Sequence, residues 1–176
     1  PMIDYNNIKL IISDIDGVWT DGSIYRGTDN IELKKFSVFD GVGVAYARAA
    51  DLKIAIISAR YSPATEHRIK ELGIKDIYNG GLNKLHAYND LKEKHKLVDD
   101  QIAYLGDDMV DIPVMELVAL PIAVANATPD IMKLAKHVTK LKGGDGAFRE
   151  AVEWIIEKQG RTEELYKIMR EMVLNS

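Results

Sequence analysis

Asp14 and Asp16 stand two residues apart at the end of the apolar run Leu10-Ile11-Ile12. Such a run, flanked by Lys9 and a glycine-bearing turn, reads as a central strand buried on both faces. Two carboxylates at its C-terminal end are costly to bring together unless a cation holds them. Ligands of open α/β sheets collect beyond the strand C-termini, so the pair marks a metal or phosphoryl site. Two solvated loop aspartates are the plainer alternative. Further along, Ile54-Ala55-Ile56-Ile57 ends in Ser58 with Arg60 beyond, and Lys84 follows Gly80-Gly81 at a helix start. Ile102-Ala103-Tyr104-Leu105 ends in Gly106-Asp107-Asp108, with Asp111 one helical turn later.

These types suit one kind of chemistry. A phosphate monoester hydrolyses very slowly unaided. An enzyme must supply a nucleophile, a divalent cation, an acid for the leaving group and positive charge on the transferring oxygens. Carboxylates with few nitrogen competitors suit Mg²⁺. Asp14, Asp16, Asp107, Asp108 and Lys84 provide that inventory. Lys84 alone would be a solvated helix start, yet a lysine there opposes the helix dipole. Ser58 ends a buried strand, where a hydroxyl can hold a phosphate oxygen.

The elements that must position these groups follow from the pattern of the chain. Strands are expected at 9–13, 53–58, 76–78, 101–105, 121–124 and 137–139. Helices are expected at 41–51, 63–72, 84–95, 111–118 and 130–135. Ser62 before Pro63 is a helix start and Gly73 a stop. This alternation predicts an α/β fold, a doubly wound, mostly parallel Rossmann-like sheet with helices on both faces. Segments 23–25 and 31–36 flank the turn residues 26–30 and read as a small β-hairpin flap. The organisation expected is a single core over residues 1–160, with the flap at 22–37, and a helical extension over 161–176. In that extension Leu165, Ile168, Met169, Met172 and Val173 recur at helical spacing.

Composition closes off other classes. The 176 residues are 47% hydrophobic and 28% charged, as in a globular protein. A net charge of −4 gives no support for nucleic-acid or anionic-membrane binding. The absence of cysteine excludes disulfides and thiolate sites. No apolar stretch approaches a membrane span. No signal-peptide pattern is present, so the expected location is cytoplasmic. Pro1 is not a natural initiator, which points to processing or to an altered first residue. His67, His86, His95 and His137 fall in helix or edge-strand patterns rather than as metal ligands.

With all four motifs in order, the chain resembles the haloacid dehalogenase superfamily of phosphatases. Asp14-Ile15-Asp16-Gly17-Val18 matches the first motif, Ser58 the second, Lys84 the third and Gly106-Asp107-Asp108-Met109-Val110-Asp111 the fourth. The resemblance implies that Asp14 is the nucleophile, forming an aspartyl-phosphate. It implies that Asp16 is the general acid and base and offers its backbone carbonyl to Mg²⁺. Ser58 and Lys84 would hold phosphoryl oxygens, and Asp107 would complete the metal shell with Asp14. Asp108 and Asp111 would support the metal waters and Lys84.

Only 41 residues separate Asp16 from Ser58, and 22 separate Lys84 from Asp107. Neither interval has room for a cap domain, so a neighbouring subunit or a macromolecular substrate must shield the site. Asp16 to Gly22, Phe39-Asp40-Gly41, Ser58-Ala59-Arg60, Gly106-Asp107-Asp108 and Gly143 to Glu150 are similar to the family of 3-deoxy-D-manno-octulosonate 8-phosphate (KDO 8-phosphate) phosphatases. That resemblance implies a homotetramer whose neighbouring subunits complete each active site, and a small sugar-acid phosphate of lipopolysaccharide precursor synthesis as substrate. It includes Asp40 and Gly41 among the substrate-contacting residues. The substrate carboxylate calls for a second cation. Arg60 is the best candidate and Arg68 the next, about two turns along the following helix. Lys34, Lys35 and Arg149 are weaker candidates, each more often surface charge than ligand. The chain departs from the family at Trp19, where Leu is usual and where an indole would reshape the pocket, and at Ser58-Ala59-Arg60 in place of Thr-Gly-Arg. A nine-carbon keto-sugar-acid phosphate (KDN 9-phosphate type) is the alternative substrate. Relatives acting on it carry an acidic residue at the Arg60 position. A phosphorylation-dependent receiver would place its acidic pair before the lysine, and a silent sugar-phosphate-binding module has no need of the full acidic set.

Overall fold

The six apolar runs pair side by side in the computed structural model, which describes residues 3–176; Pro1, read above as a processed or altered residue, lies outside them. The order along the chain begins with Leu10–Ser13 (β1), then Tyr25–Arg26 (β2) and Glu32–Leu33 (β3). Val38–Ala49 (α1), Lys53–Ser58 (β4), Pro63–Glu71 (α2), Asp76–Asn79 (β5) and Lys84–His95 (α3) follow. The second half holds Ile102–Gly106 (β6), Ile112–Met115 (α4), Leu120–Ala123 (β7), Pro129–Leu134 (α5), His137–Val138 (β8), Ala147–Lys158 (α6) and Thr162–Leu174 (α7). No described helix is long and apolar enough to cross a membrane.

The sheet runs β5-β4-β1-β6-β7-β8, and every neighbouring pair is parallel. β1 lies at its centre. Leu10, Ile11 and Ile12 are wholly buried because helices cover both faces of a parallel sheet. Right-handed crossovers put α1 and α2 on one face and α3, α4 and α5 on the other. The chain leaves β1 towards β4, then returns through α3 to β6 on β1's other side. That reversal opens a crevice beyond the C-termini of β1 and β6. No cap domain interrupts the described residues; only the β2–β3 hairpin projects, pairing Tyr25 with Leu33 and Arg26 with Glu32.

Several boundaries differ from expectation for local reasons. α1 begins at Val38 rather than Gly41, because the Ser37 hydroxyl accepts from the Phe39 amide and caps the helix early. α4 begins only at Ile112 and ends at Met115, shorter than the expected 111–118. Asp111, the expected first residue, instead turns its carboxylate back to the Asp107 and Asp108 amides. The hairpin strands are two residues each, shorter than their apolar content suggested. Asp29 and Asn30 take left-handed backbone at the tip. α7 packs through wholly buried Leu165, the Tyr46–Tyr166 ring contact and an Arg161 hydrogen bond to the Ala50 carbonyl.

Candidate active site

Asp14 and Asp107 emerge from adjacent strand ends, since Ser13 pairs with Leu105 across β1 and β6. Asp14 is buried. Its Oδ1 accepts from the Ile15 amide at 2.6 Å, and its Oδ2 lies 2.7 Å from Lys84 Nζ. Lys84, the first residue of α3, sends its side chain off the helix and into the protein, where Nζ also lies 2.7 Å from Asp111 Oδ1. Two carboxylates therefore outweigh the unfavourable helix dipole. Burial opposes the ammonium's charge, but Asp14 and Asp111 prevail and hold its pKa above the usual lysine value.

Asp111 is wholly buried and fully used. Its Oδ1 receives Lys84 and the Tyr104 hydroxyl at 2.6 Å; its Oδ2 receives the amides of Asp107 at 2.9 Å and Asp108 at 3.3 Å. It brings a ligand atom within 4.8 Å of those of Asp14 and Asp107, yet its oxygens already have four donors. Asp14 and Asp107 are the carboxylates left to hold an ion. Burial first, then Asp14, Asp111 and Asp108, push the Asp107 carboxyl up to about 8. Burial and Asp111 push Asp14 up to about 7 against the pull of Lys84. A buried and a half-buried carboxylate, mutually repelling and with oxygen donors only, are a fit for Mg²⁺. Gly17 makes the approach possible. Its φ is +83°, and a Cβ there would sit 2.0 Å from Asp107 Oδ2.

Above this pair lies a cleft of about 330 Å³, whose walls include Asp14, Asp16, Ser58, Arg60, Asp107 and Asp108. Ser58 is buried, its hydroxyl donating to the Arg60 carbonyl at 3.1 Å. Asp108 spends Oδ1 on the Met109 amide at 2.7 Å. The loop from Gly143 closes against the Gly17 turn: Asn126 Nδ2 donates to the Gly17 carbonyl at 2.9 Å, and the Gly143 amide donates to Asn126 Oδ1 at 2.6 Å.

The four substrate-contact candidates do not converge. Arg60 reaches the cleft, but its guanidinium forks onto Glu32, with Nη1 3.1 Å from Oε1 and Nη2 on Oε2. Arg60, together with the Ser62 hydroxyl at 2.7 Å, holds the Glu32 carboxyl down at about 2. Arg68 pairs instead with Glu71 at 2.7 Å on its own helix. Asp40 turns away from the cleft and accepts from the Arg149 amide at 3.1 Å, tying the start of α6 to α1; burial pushes its carboxyl up to about 6. Gly41 faces Leu72 and the Arg68 guanidinium rather than the cleft. Both placements share one cause. With Ser37 as cap, residues 40 and 41 lie inside α1, on its packed side. Trp19 points into the core and is not among the residues that line the cleft. It is 1% exposed, stacks on Phe148 at 4.2 Å and donates its indole N–H to Ser13 Oγ at 3.0 Å.

Sequence reasoning missed Glu32, Tyr104, Asn126 and the role of Lys34, read above as surface charge. Lys34 Nζ lies 2.5 Å from Asp16 Oδ1, and its side chain has no exposed surface. The alternation Glu32-Leu33-Lys34 was the available signal, because period two puts both charges on one side of a strand.

The chain matches the family model of haloacid dehalogenase-like hydrolases over residues 59–150. It is 44% identical over 163 residues to the 3-deoxy-D-manno-octulosonate 8-phosphate phosphatase of Escherichia coli (strain B / BL21-DE3), covering 93% of this chain and 87% of that protein. A crystal structure of the 3-deoxy-D-manno-octulosonate 8-phosphate phosphatase of Yersinia pestis superposes with a TM-score of 0.87 at 43% identity, covering 90% of this chain and 86% of that one. The enzyme of that name from Moraxella catarrhalis, in complex with magnesium ion, phosphate ion and KDO, superposes with a TM-score of 0.89 at 32% identity, covering 94% and 95%.

Proposed function

The chain belongs to the haloacid dehalogenase-like hydrolases and is a Mg²⁺-dependent phosphoric monoester hydrolase, and from that premise we propose that it hydrolyses KDO 8-phosphate to KDO and phosphate. The observation that carries this reading is the Asp14–Lys84–Asp111 cluster facing Asp107 across β1 and β6, in a chain 44% identical to a phosphatase of that substrate.

Asp14 and Asp107 would hold Mg²⁺, with the Asp16 carbonyl, and the bound ion supplies positive charge to the phosphoryl oxygens. Asp14 attacks phosphorus as the bond from phosphorus to the sugar oxygen breaks, and Asp16 gives its proton to that oxygen. Asp16 then takes a proton from water, which attacks the same phosphorus. The bond to Asp14 breaks, phosphate leaves and the carboxylate returns. Lys84 holds Asp14 in place and offsets charge on the transferring group, while the Ser58 hydroxyl would turn from the Arg60 carbonyl to donate to a phosphoryl oxygen. Asp111, through the two amides and Lys84, fixes the positions of the others, and Asp108, from the fourth motif, would support the waters of a bound metal.

Arg60 is the proposed partner of the substrate carboxylate. In that role it exchanges the Glu32 carboxylate for the substrate's, the two having the same forked geometry. We assign completion of the site to neighbouring subunits of a homotetramer. Support comes from Ile24, Tyr25, Ile31 and Leu33, which the hairpin leaves exposed beside an uncapped cleft. The proposed compartment is the cytoplasm, which suits a chain without cysteine.

The test is Mg²⁺-dependent phosphate release from eight- and nine-carbon keto-sugar-acid phosphates, with sedimentation at the assay concentration. The expected result is a preference for KDO 8-phosphate of at least about tenfold in kcat/KM, a difference of about 1.4 kcal/mol in transition-state binding, from a tetramer. Preference for the nine-carbon ester would overturn the substrate, and a fully active monomer would overturn the shared site.

A further inference from the structure

We propose that Lys34, on the flap, is a positioning residue that orients Asp16 for proton transfer to the leaving oxygen; the inference rests on the phosphatase reading above. Lys34 follows β3, where the backbone alternates Glu32 inward, Leu33 outward and Lys34 inward. A lysine with no exposed side-chain surface needs partners for its ammonium. It has two: Asp16 Oδ1 at 2.5 Å and Thr65 Oγ1 at 3.1 Å. Thr65 is itself buried, and its amide donates to Ser62 Oγ, the cap of α2. The Ser62 hydroxyl in turn donates to Glu32. Lys34 is thereby fixed from two sides, by the flap and by the first turn of α2, before it meets Asp16.

Asp16 needs that contact. It sits in the loop after β1, a quarter of its side chain exposed to the cleft. The χ2 torsion of an aspartate is broad and roughly two-fold, so an unheld carboxylate samples orientations in which neither oxygen faces the reacting bond. With Oδ1 taken by Lys34, Oδ2 is the oxygen presented to the cleft. Misplacing a reacting group by about 1 Å can cost about a hundredfold in rate, which sets the size of the expected effect.

The leaving group separates positioning from simple anchoring of the flap. The sugar oxygen of KDO 8-phosphate must be protonated as it departs, whereas 4-nitrophenol leaves as a stable phenolate. With Mg²⁺ present, Lys34→Met should lower kcat/KM for KDO 8-phosphate about a hundredfold and for 4-nitrophenyl phosphate less than about fivefold, with the KM for KDO 8-phosphate little changed. Lys34→Arg should recover about tenfold of the loss, since a guanidinium can still donate to Oδ1. Equal losses on both substrates, or none on either, would overturn the proposal, and thermal melting verifies that the variants are folded. Wild-type turnover of KDO 8-phosphate separately tests the reading beneath it. Were the wild type to cleave only the nitrophenyl ester, the substrate would be wrong, and a simple alkyl phosphate would serve for the same contrast in leaving group.

Discussion

Two sets of ion pairs meet at the cleft, and they are built differently. Beneath it, Lys84, Asp14, Asp111 and Tyr104 interlock at the ends of bonded parallel strands, with almost no exposed surface. Above it, Glu32 and Lys34 reach in from a hairpin of two-residue strands whose outward residues are exposed. The lower set is tied to the ends of the sheet, and it holds Asp14, the proposed nucleophile. The upper set is held by side-chain bonds alone, so it can open for a substrate and still orient Asp16 when closed. Chemistry placed on rigid elements and selectivity placed on an adjustable one is the division that an uncapped phosphatase requires.

The contrast can be broken at either end. Lys84→Met should have the largest effect, lowering kcat about a thousandfold by removing charge beside the nucleophile. It should also cost about 3–5 kcal/mol of stability, because Asp14 and Asp111 are left buried without their cation. Turnover and urea unfolding measure the two losses. Glu32→Gln should cost far less, about 1 kcal/mol at neutral pH, because Arg60 is about a third exposed and solvent screens the pair. The sign of its pH dependence follows from the depressed carboxyl. Glu32 is held at about 2 against an ordinary 4.5, so its contribution is complete above about pH 4.5 and fades as the pH falls towards 2. The difference in melting temperature between wild type and Glu32→Gln should therefore narrow over that acid range. A gap that stayed constant, or one as large as that of Lys84→Met, would erase the distinction between the two sets.

The lower set, Tyr104 excepted, was legible in the sequence, and Glu32 and Lys34 of the upper set were not. Asp14, Ser58 and Asp107 each follow an apolar run, and a parallel sheet brings strand ends together whatever the detailed packing. Lys84 was betrayed by its place at a helix start, where a lysine is unfavourable without another reason. Lys34 carried only the weaker signal of its alternation with Glu32. A charged residue in a hairpin reads as solvated, and only the folding of β3 against α2 buries it. Asp40 and Trp19 show what packing adds. The family resemblance put Asp40 among substrate contacts and made Trp19 a departure able to reshape the pocket, whereas in this chain Asp40 bonds the start of α6 and the indole bonds Ser13 in the core. Local rules set the elements; packing between elements decided which side chains they shared.

The most direct test of the central claim is the phosphoenzyme itself. Asp16→Asn should still be phosphorylated by 4-nitrophenyl phosphate in the presence of Mg²⁺, since that leaving group needs no proton. It should then stall, because the water that cleaves the acyl phosphate lacks its base. Acid-quenched intact mass spectrometry should find one phosphoryl group per chain, mapped to Asp14 and absent when Asp14→Asn is added. Phosphate on any other residue, or nitrophenol released at the wild-type rate with no phosphorylated protein, would contradict the assignment of Asp14 as nucleophile and Asp16 as its acid and base.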